Sequence, residues 1–318
     1  PFFLYTAFTT PHFPMQCPED EVARQRGRYR QGWDHVRRRR FERMRSLGIL
    51  DRRWRLPARD SNLLPWTQAA HPAWEERRME VYAAMVERMD RRVGDIVAQV
   101  RAMGQEDNTL FLFLSDNGGS NETMNANNTS GRVPDILKRS NRWQGDDPNI
   151  LPGPMDTYQS VGAAWASASN APFRRFKSMT HEGGIATPLI AAWGSKIAQP
   201  GRLHHHPGHI MDLLPTCLDA AGGQHTCEGR SLLPALTSTN AKPHHEVLCF
   251  EHEGNQAIRQ GNWKLVRPHN QPWELYDLAA DRTETRNLAP TEPQRVAQLE
   301  STYRAWMQRC GVEPWPLT

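Results

Sequence analysis

Apolar and polar positions in this chain fall into blocks whose period changes from one stretch to the next. The sharpest block is Leu110-Phe111-Leu112-Phe113-Leu114, which stops at once in Ser115-Asp116-Asn117-Gly118-Gly119. An unbroken apolar run of this kind predicts a strand buried on both faces, in the middle of a parallel sheet. Residues 1–10 (PFFLYTAFTT) and 187–193 predict two further buried strands. Helical spacing lies between them. Residues 19–26 predict a short helix. Residues 31–47 predict a longer one, with Trp33, Val36, Phe41, Met44 and Leu47 near one face and Gly48 at its end. The strongest helical pattern is 72–103, where Trp74, Val81, Tyr82, Met85, Met89, Val93, Ile96, Val97 and Val100 recur mostly at three- and four-residue steps. Pro72 opens it and Gly104 closes it, the usual asymmetry of a helix. The Met and aromatic stripe reads as core packing. A helix feeding a buried strand is the alternation of an α/β fold.

Residues 120–170 break the pattern. They are rich in Asn, Gly, Ser, Asp and Pro and read as one long loop that leaves directly from the Asp-Asn pair. Such a loop would wall a site and shape substrate choice. Residues 209–220 predict a helix kinked at Pro215 and closed by Gly222-Gly223. After Gly223 the texture changes. Residues 246–250, 256–258, 263–266 and 273–278 are short strand candidates separated by Gly and Asn turns, which predicts a small antiparallel sheet. Residues 293–308 read as a closing helix with Val296, Leu299, Tyr303 and Trp306 on one face. The chain therefore divides near residue 223, into 1–222 and 223–318.

Composition narrows the function classes. The 318 residues carry 39 Lys and Arg against 35 Asp and Glu, a net charge of only +4. That balance does not point to a nucleic-acid binder, and it leaves room for local positive patches that receive an anionic substrate. The run Arg37 to Arg40 spreads around most of a helix and reads as solvated surface. No apolar run is long enough to span a membrane, and no secretory signal is visible. Eleven Trp and 24 Pro mark a folded, loop-rich chain. Cys17, Cys217, Cys227, Cys249 and Cys310 show no metal-type pair spacing and leave the redox compartment open. His204-His205-His206 sit in a Pro/Gly loop without a second ligand group, and read as exposed loop. Asn121 and Asn127 begin glycosylation sequons of a kind that is frequent by chance.

Candidate chemistry collects where strands end. Asp116 and Asn117 place two oxygen donors at the carboxyl end of a buried strand, where open α/β sheets build their sites, and both suit a hard cation. The same tetrad is also ordinary turn chemistry. His12 stands between Pro11 and Pro14, which hold the backbone extended and fix the direction of the imidazole. Lys177, His181 and Glu182 precede Gly183-Gly184 and the apolar run that follows. Three polar functional types before such a turn favour a site, against the plainer reading of surface charges at a turn.

Together these stretches resemble the sulfatase family, and within it the bacterial arylsulfatase-like enzymes. The matching residues are 2–18 (FFLYTAFTTPHFPMQCP), 111–119 (FLFLSDNGG), 170–193 (NAPFRRFKSMTHEGGIATPLIAAW), 207–222 (PGHIMDLLPTCLDAAG), and 250–266 with 273–288. Each is weak alone; in order and in register along nearly the whole chain they are specific. The resemblance implies an α/β fold: an alkaline-phosphatase-like, mostly parallel sheet flanked by helices and incomplete at its N-terminus, followed by a small antiparallel sheet with a closing helix. Residues 1–222 would be the carboxyl-side portion of the catalytic domain. It also implies a sulfuric ester hydrolase that uses calcium and a formylglycine nucleophile on a sulfated small molecule or carbohydrate, in the periplasm or secreted. Asp116 and Asn117 match calcium ligands. Lys177 matches the lysine that contacts the sulfate and the leaving oxygen. His12 matches the histidine that touches the sulfate ester and protonates the leaving group. These roles agree with the chemistry, since a sulfate ester's leaving oxygen gains negative charge as the S–O bond breaks and cationic donors aimed at it lower the barrier. His181 and His252 could line the pocket, against the plainer reading of a packed or surface histidine.

The resemblance also has a gap. The family's formylglycine is made from Cys or Ser in a Cys-x-Pro/Ala-x-Arg motif, and none of the five Cys contexts fits. The amino-terminal Asp-Asp pair of the calcium site is missing as well. The expectation is a carboxyl-terminal part of a longer sulfatase, inactive alone, with half a calcium site. Two other readings stay open: a phosphatase or phosphodiesterase of the same superfamily, and a non-catalytic sulfatase-like protein that binds anions.

Overall fold

The structure, a computed structural model of the chain, describes residues 1–124, 143–243 and 245–316. The elements in order are α1 (Glu19–Ala23), α2 (Gly32–Ser46), α3 (Pro72–Ala102), β1 (Phe111–Leu114), β2 (Trp143–Gln144), β3 (Thr157–Tyr158), α4 (Ala163–Asn170), α5 (Glu182–Ile185), β4 (Leu189–Ala192), α6 (Leu213–Ala220), α7 (Leu233–Thr237), β5 (Val247–His252), β6 (Asn255–Gln260), β7 (Trp263–Arg267), β8 (Glu274–Asp277) and α8 (Pro293–Cys310). It is a mixed α/β fold with an antiparallel sheet at its C-terminal end.

The long helix forms as its pattern dictates. Pro72 sits at its start, where the missing N–H costs nothing, and Gly104 takes a left-handed φ of 68° just past its end. Met79, Val81, Ala84, Met85 and Val100 are buried along it. All but Val100 join Met15, Val22, Trp33, Trp165 and Phe176 in the first core. The centre of that core is aromatic: Trp165 lies 5.6 Å from Trp33, 5.9 Å from Trp66 and 5.9 Å from Tyr29, centroid to centroid. Edge-on and tilted pairs at these separations add to the burial of the rings. The second core draws on Ile258, Leu265, Leu275, Leu299 and Tyr303. There the strands run β5-β6-β7-β8, each antiparallel to its neighbour, and α8 packs on β6 and β7. The antiparallel sheet and closing helix thus match the pattern of short strands and turns.

Several expectations change. Residues 1–10 form no strand, and Phe3 and Tyr5 are 77% and 80% exposed. A strand needs a neighbour to take its backbone hydrogen bonds, and no described strand lies beside this segment. β1 pairs with β4, antiparallel, and neither is buried on both faces: Phe113 is 38% exposed and Ile190 62%. An apolar run fixes a strand but not the partner that covers it. Within the stretch read as one loop, residues 157–158 pair in parallel with 143–144, and Ala163–Asn170 is helical with Trp165 wholly buried. Pro215 lies in the first turn of α6, where its missing N–H removes no intrahelical bond. Arg37 and Arg40 are not wholly solvated, since each donates to a backbone carbonyl, of Pro57 and Ala171 respectively. The Asn127 sequon lies outside the described residues.

Candidate active site

The end of β1 meets the loop of Lys177 backbone to backbone. Gly118 N–H donates to Gly184 C=O at 2.9 Å, and Lys177 N–H donates to Gly119 C=O at 3.1 Å. Asn170 adds a brace: its Oδ1 accepts from Gly119 N–H at 2.7 Å and its Nδ2 donates to Arg175 C=O at 3.0 Å. Glycine is required for this approach, because a Cβ on Gly118 would stand 1.8 Å from Gly183 C=O. On either side of Lys177, Arg175 and Ser178 hold left-handed φ values of 68° and 71°. Non-glycine residues adopt that region at a cost, and such strain persists where the surroundings over-determine it, as at functional sites.

The opposite side of the lysine loop is stitched to the C-terminal sheet. Asn255 Nδ2 donates to Ser178 C=O at 3.0 Å, and Thr180 Oγ1 to Gln256 C=O at 3.0 Å. Glu182, 3% exposed, accepts from Lys264 Nζ at 2.9 Å and from Arg282 Nε at 2.9 Å. Glu284 accepts from Glu182 N–H at 3.0 Å, and its other oxygen lies 2.8 Å from Lys264 Nζ. Burial pushes the Glu182 carboxyl up, but the Lys264 and Arg282 cations outweigh it and hold it below the usual carboxylate range. His181 is fully buried and bonds Glu274 at 3.1 Å, so it locks the loop and does not line a pocket. His252 is exposed beside Glu253 at 4.0 Å, a surface histidine. His204 and His205 are exposed, as their Pro/Gly setting suggests.

His12 arrives from the other end of the chain. Its segment is tied down by Met15 N–H to Gln159 C=O and Cys17 N–H to Gly153 C=O, each 3.0 Å. Nδ1 lies 2.8 Å from Phe13 C=O, an acceptor only, so that nitrogen carries a proton and Nε2 faces Lys177 Nζ at 3.4 Å. Residues 165 positions apart thus put two nitrogen groups at one point. Glu122, which no local pattern singles out as a site residue, completes the cluster. Its Oε2 lies 3.3 Å from Lys177 Nζ and accepts from Ser120 Oγ at 2.7 Å. Burial raises the Glu122 carboxyl, while the Ser120 hydroxyl and the Lys177 charge lower it further, so it ends below the usual carboxylate range.

Asp116 is exposed and makes no hydrogen bond or ion pair among the described residues, while Asn117 spends its Nδ2 on Gly118 C=O at 2.8 Å. An unpaired carboxylate next to a free amide oxygen suits calcium in kind. It falls short in number, since calcium takes about six to eight oxygens and no group of three or more His, Cys, Asp or Glu among the described residues could hold a metal. All five cysteines are free. Among the described residues no helix is long and apolar enough to cross a membrane.

The arrangement brings two nitrogen groups together beside a carboxylate-bearing turn. Comparison with known proteins bears on the chain as a whole. The sequence model of the Sulfatase family matches residues 1–223. An uncharacterised sulfatase of Schizosaccharomyces pombe is 31% identical over 341 aligned positions, covering 99% of this chain and 59% of the relative. An arylsulfatase of Klebsiella aerogenes is 32% identical over 230, covering 70% of this chain and 46% of the relative. The crystal structure of Ps i-CgsB superposes with a TM-score of 0.61 at 22% identity, over 96% of this chain and 50% of that one. A second structure of Ps i-CgsB, in complex with k-i-k-neocarrahexaose, gives 0.58. The chain thus spans about half the length of the relatives it matches.

Proposed function

We propose, for a chain that belongs to the sulfatase family, that the complete protein hydrolyses sulfate esters at the cluster of His12 and Lys177. The observation that carries this reading is the 3.4 Å approach of Lys177 Nζ to His12 Nε2. Lys177 binds the sulfate oxygens and neutralises charge that grows on the leaving oxygen. His12, fixed by its Nδ1 bond, directs Nε2 to the same place; as the doubly protonated imidazolium it passes the Nε2 proton to that oxygen and is left as the neutral Nδ1–H tautomer. Each group can make its contact within hydrogen-bond reach without moving the backbone, because the Gly118–Gly184 contact and the Asn170 brace hold the loop.

Asp116 and Asn117 would contribute two ligands to a calcium ion, and that ion would add positive charge at the sulfate. The formylglycine nucleophile would come from residues outside these 318, because no cysteine here stands in the required motif. The 318-residue chain alone is therefore inactive on sulfate esters in this reading. Residues 1–222 supply the catalytic portion and 223–318 the smaller unit that holds the lysine loop. The substrate class is a sulfated small molecule or carbohydrate, supported by the oligosaccharide named in the Ps i-CgsB complex. A periplasmic or secreted location follows from the family alone.

The test has two parts. DNA upstream of the codon for Pro1 is sequenced for an in-frame Cys-x-Pro/Ala-x-Arg motif. The protein encoded by the longer frame is then assayed on 4-nitrophenyl sulfate, with Lys177→Ala and His12→Ala each expected to cut kcat by about 10²- to 10³-fold. Wild-type rates in both variants would sink the assignment. The missing motif also supports a second reading, a sulfatase-like protein that only binds anions. Calorimetry with a sulfated sugar separates it, since that reading requires binding without turnover by the longest frame.

A further inference from the structure

A cleft of about 340 Å³ opens where the aromatic centre of the first core reaches the surface. Its walls include Trp33, Ala70, His71, Trp74, Glu75 and Thr123. The size is at the lower end of ligand-sized pockets, about 300 to 1,000 Å³. The polar edges of both indoles are already used: Trp33 Nε1 donates to Leu64 C=O at 3.1 Å and Trp74 Nε1 to Ile150 C=O at 2.8 Å. The half-buried Trp74 therefore offers the cleft apolar ring surface, while Trp33, 5% exposed, closes its floor. Arg78 stacks on Trp74 at 4.4 Å and pins the ring in place.

Hydrogen-bonding groups stand beside these rings. Glu75 meets Arg78 at 3.1 and 3.3 Å through its two oxygens, and its carboxylate stands at the cleft wall as an acceptor. The Thr123 hydroxyl and the exposed His71 ring add groups that both give and accept hydrogen bonds. Ring surface beside acceptors and hydroxyls complements a molecule with an apolar C–H face and a rim of hydroxyl groups, which is a sugar ring.

The cleft also adjoins the anion cluster. Thr123 is the next residue after Glu122, whose carboxylate touches Lys177. Ser160 Oγ lies 2.8 Å from Glu122 C=O and 2.8 Å from Asp146 Oδ2. Asp146 in turn pairs with Arg78 at 3.0 Å. Buried polar contacts thus run without a break from the backbone of Glu122 to the guanidinium stacked on Trp74.

We propose that this cleft binds an unsulfated sugar ring of a sulfated oligosaccharide, adjacent to the ring whose sulfate lies at Lys177 and His12. The proposal rests on the reading above only for where the sulfate goes. The test is calorimetry on the 318-residue chain with two neutral disaccharides, lactose and cellobiose, with inorganic sulfate, and with 4-nitrophenol. At least one disaccharide binds. Ala70→Trp fills the cleft from an exposed position and abolishes that binding, while sulfate affinity is unchanged. Trp74→Ala weakens it by about tenfold, equivalent to ~1.4 kcal/mol. Lys177→Ala removes sulfate binding and leaves the disaccharide bound. Absence of disaccharide binding, its survival in Ala70→Trp, or tighter binding of 4-nitrophenol than of either disaccharide overturns the proposal. Disaccharide binding without any sulfate binding supports the cleft and overturns the anion site instead.

Discussion

Replacing Lys264 by Met removes one positive charge from the place where the C-terminal sheet grips the lysine loop. Lys264 is fully buried, 2.9 Å from Glu182 and 2.8 Å from Glu284, and both carboxylates are buried with it. In the wild type two cations, Lys264 and Arg282, balance two anions. In Lys264→Met, Arg282 still bonds Glu182 at 2.9 Å, but Glu284 keeps only the Glu182 N–H among these contacts. Leaving one partner of a buried pair uncompensated costs about 3 to 5 kcal/mol. The Met side chain fills similar space, so lost packing adds little. A fifth or more of the stability of an ordinary domain is at stake, given typical totals of about 5 to 15 kcal/mol. Urea unfolding followed by tryptophan fluorescence measures the loss. The double variant Lys264→Met/Glu284→Gln, which removes the stranded charge too, should recover part of it. If the single variant lost less than about 1 kcal/mol, the network would be acting like a surface pair and the argument from burial would be wrong.

Three further outcomes follow from the same geometry. The Glu274 carboxyl is raised by burial but lowered more by the His181 and Tyr276 hydrogen bonds, to about 2, so its contribution is fully present above the unfolded value. That stability, about 3 kcal/mol, is lost as pH falls from about 4 through 2; Glu274→Gln should flatten the acid limb of a stability–pH titration, and an unchanged limb would refute it. Glu122→Gln removes the anion that pairs with Lys177 at 3.3 Å, and calorimetry should show inorganic sulfate binding up to about fivefold tighter; weaker binding would mean that Glu122 helps rather than competes. Gly118→Ala forces a Cβ to 1.8 Å from Gly183 C=O, with an expected loss of about 1 to 3 kcal/mol in the same urea assay and weaker sulfate binding as Lys177 shifts; a neutral effect would show that the two glycine turns part easily.

Local chemistry was readable directly from the residues. Pro72, Gly104 and a three- to four-residue apolar spacing define α3 without reference to anything distant. The four strands of the C-terminal sheet and α8 follow from alternation, turn residues and one apolar face for the same reason. His12, Lys177, Asp116 and Asn117 stood out because each sits at a sharp change of texture, and the fold does bring His12 to Lys177. What sequence spacing could not carry was long-range pairing. Glu122 gains a role only because Lys177 folds over it. Glu182 stood out beside its Gly-Gly turn, but nothing local pointed to Lys264, 82 positions further on, which the fold brings to 2.9 Å in a buried site. Likewise the apolar run at β1 announced a strand, while its antiparallel partner and its half-exposed faces were set by which segment came to lie alongside. Propensity and period act over a few residues; charge pairing, strand partners and burial depend on where distant segments meet, and only the tertiary structure decides that.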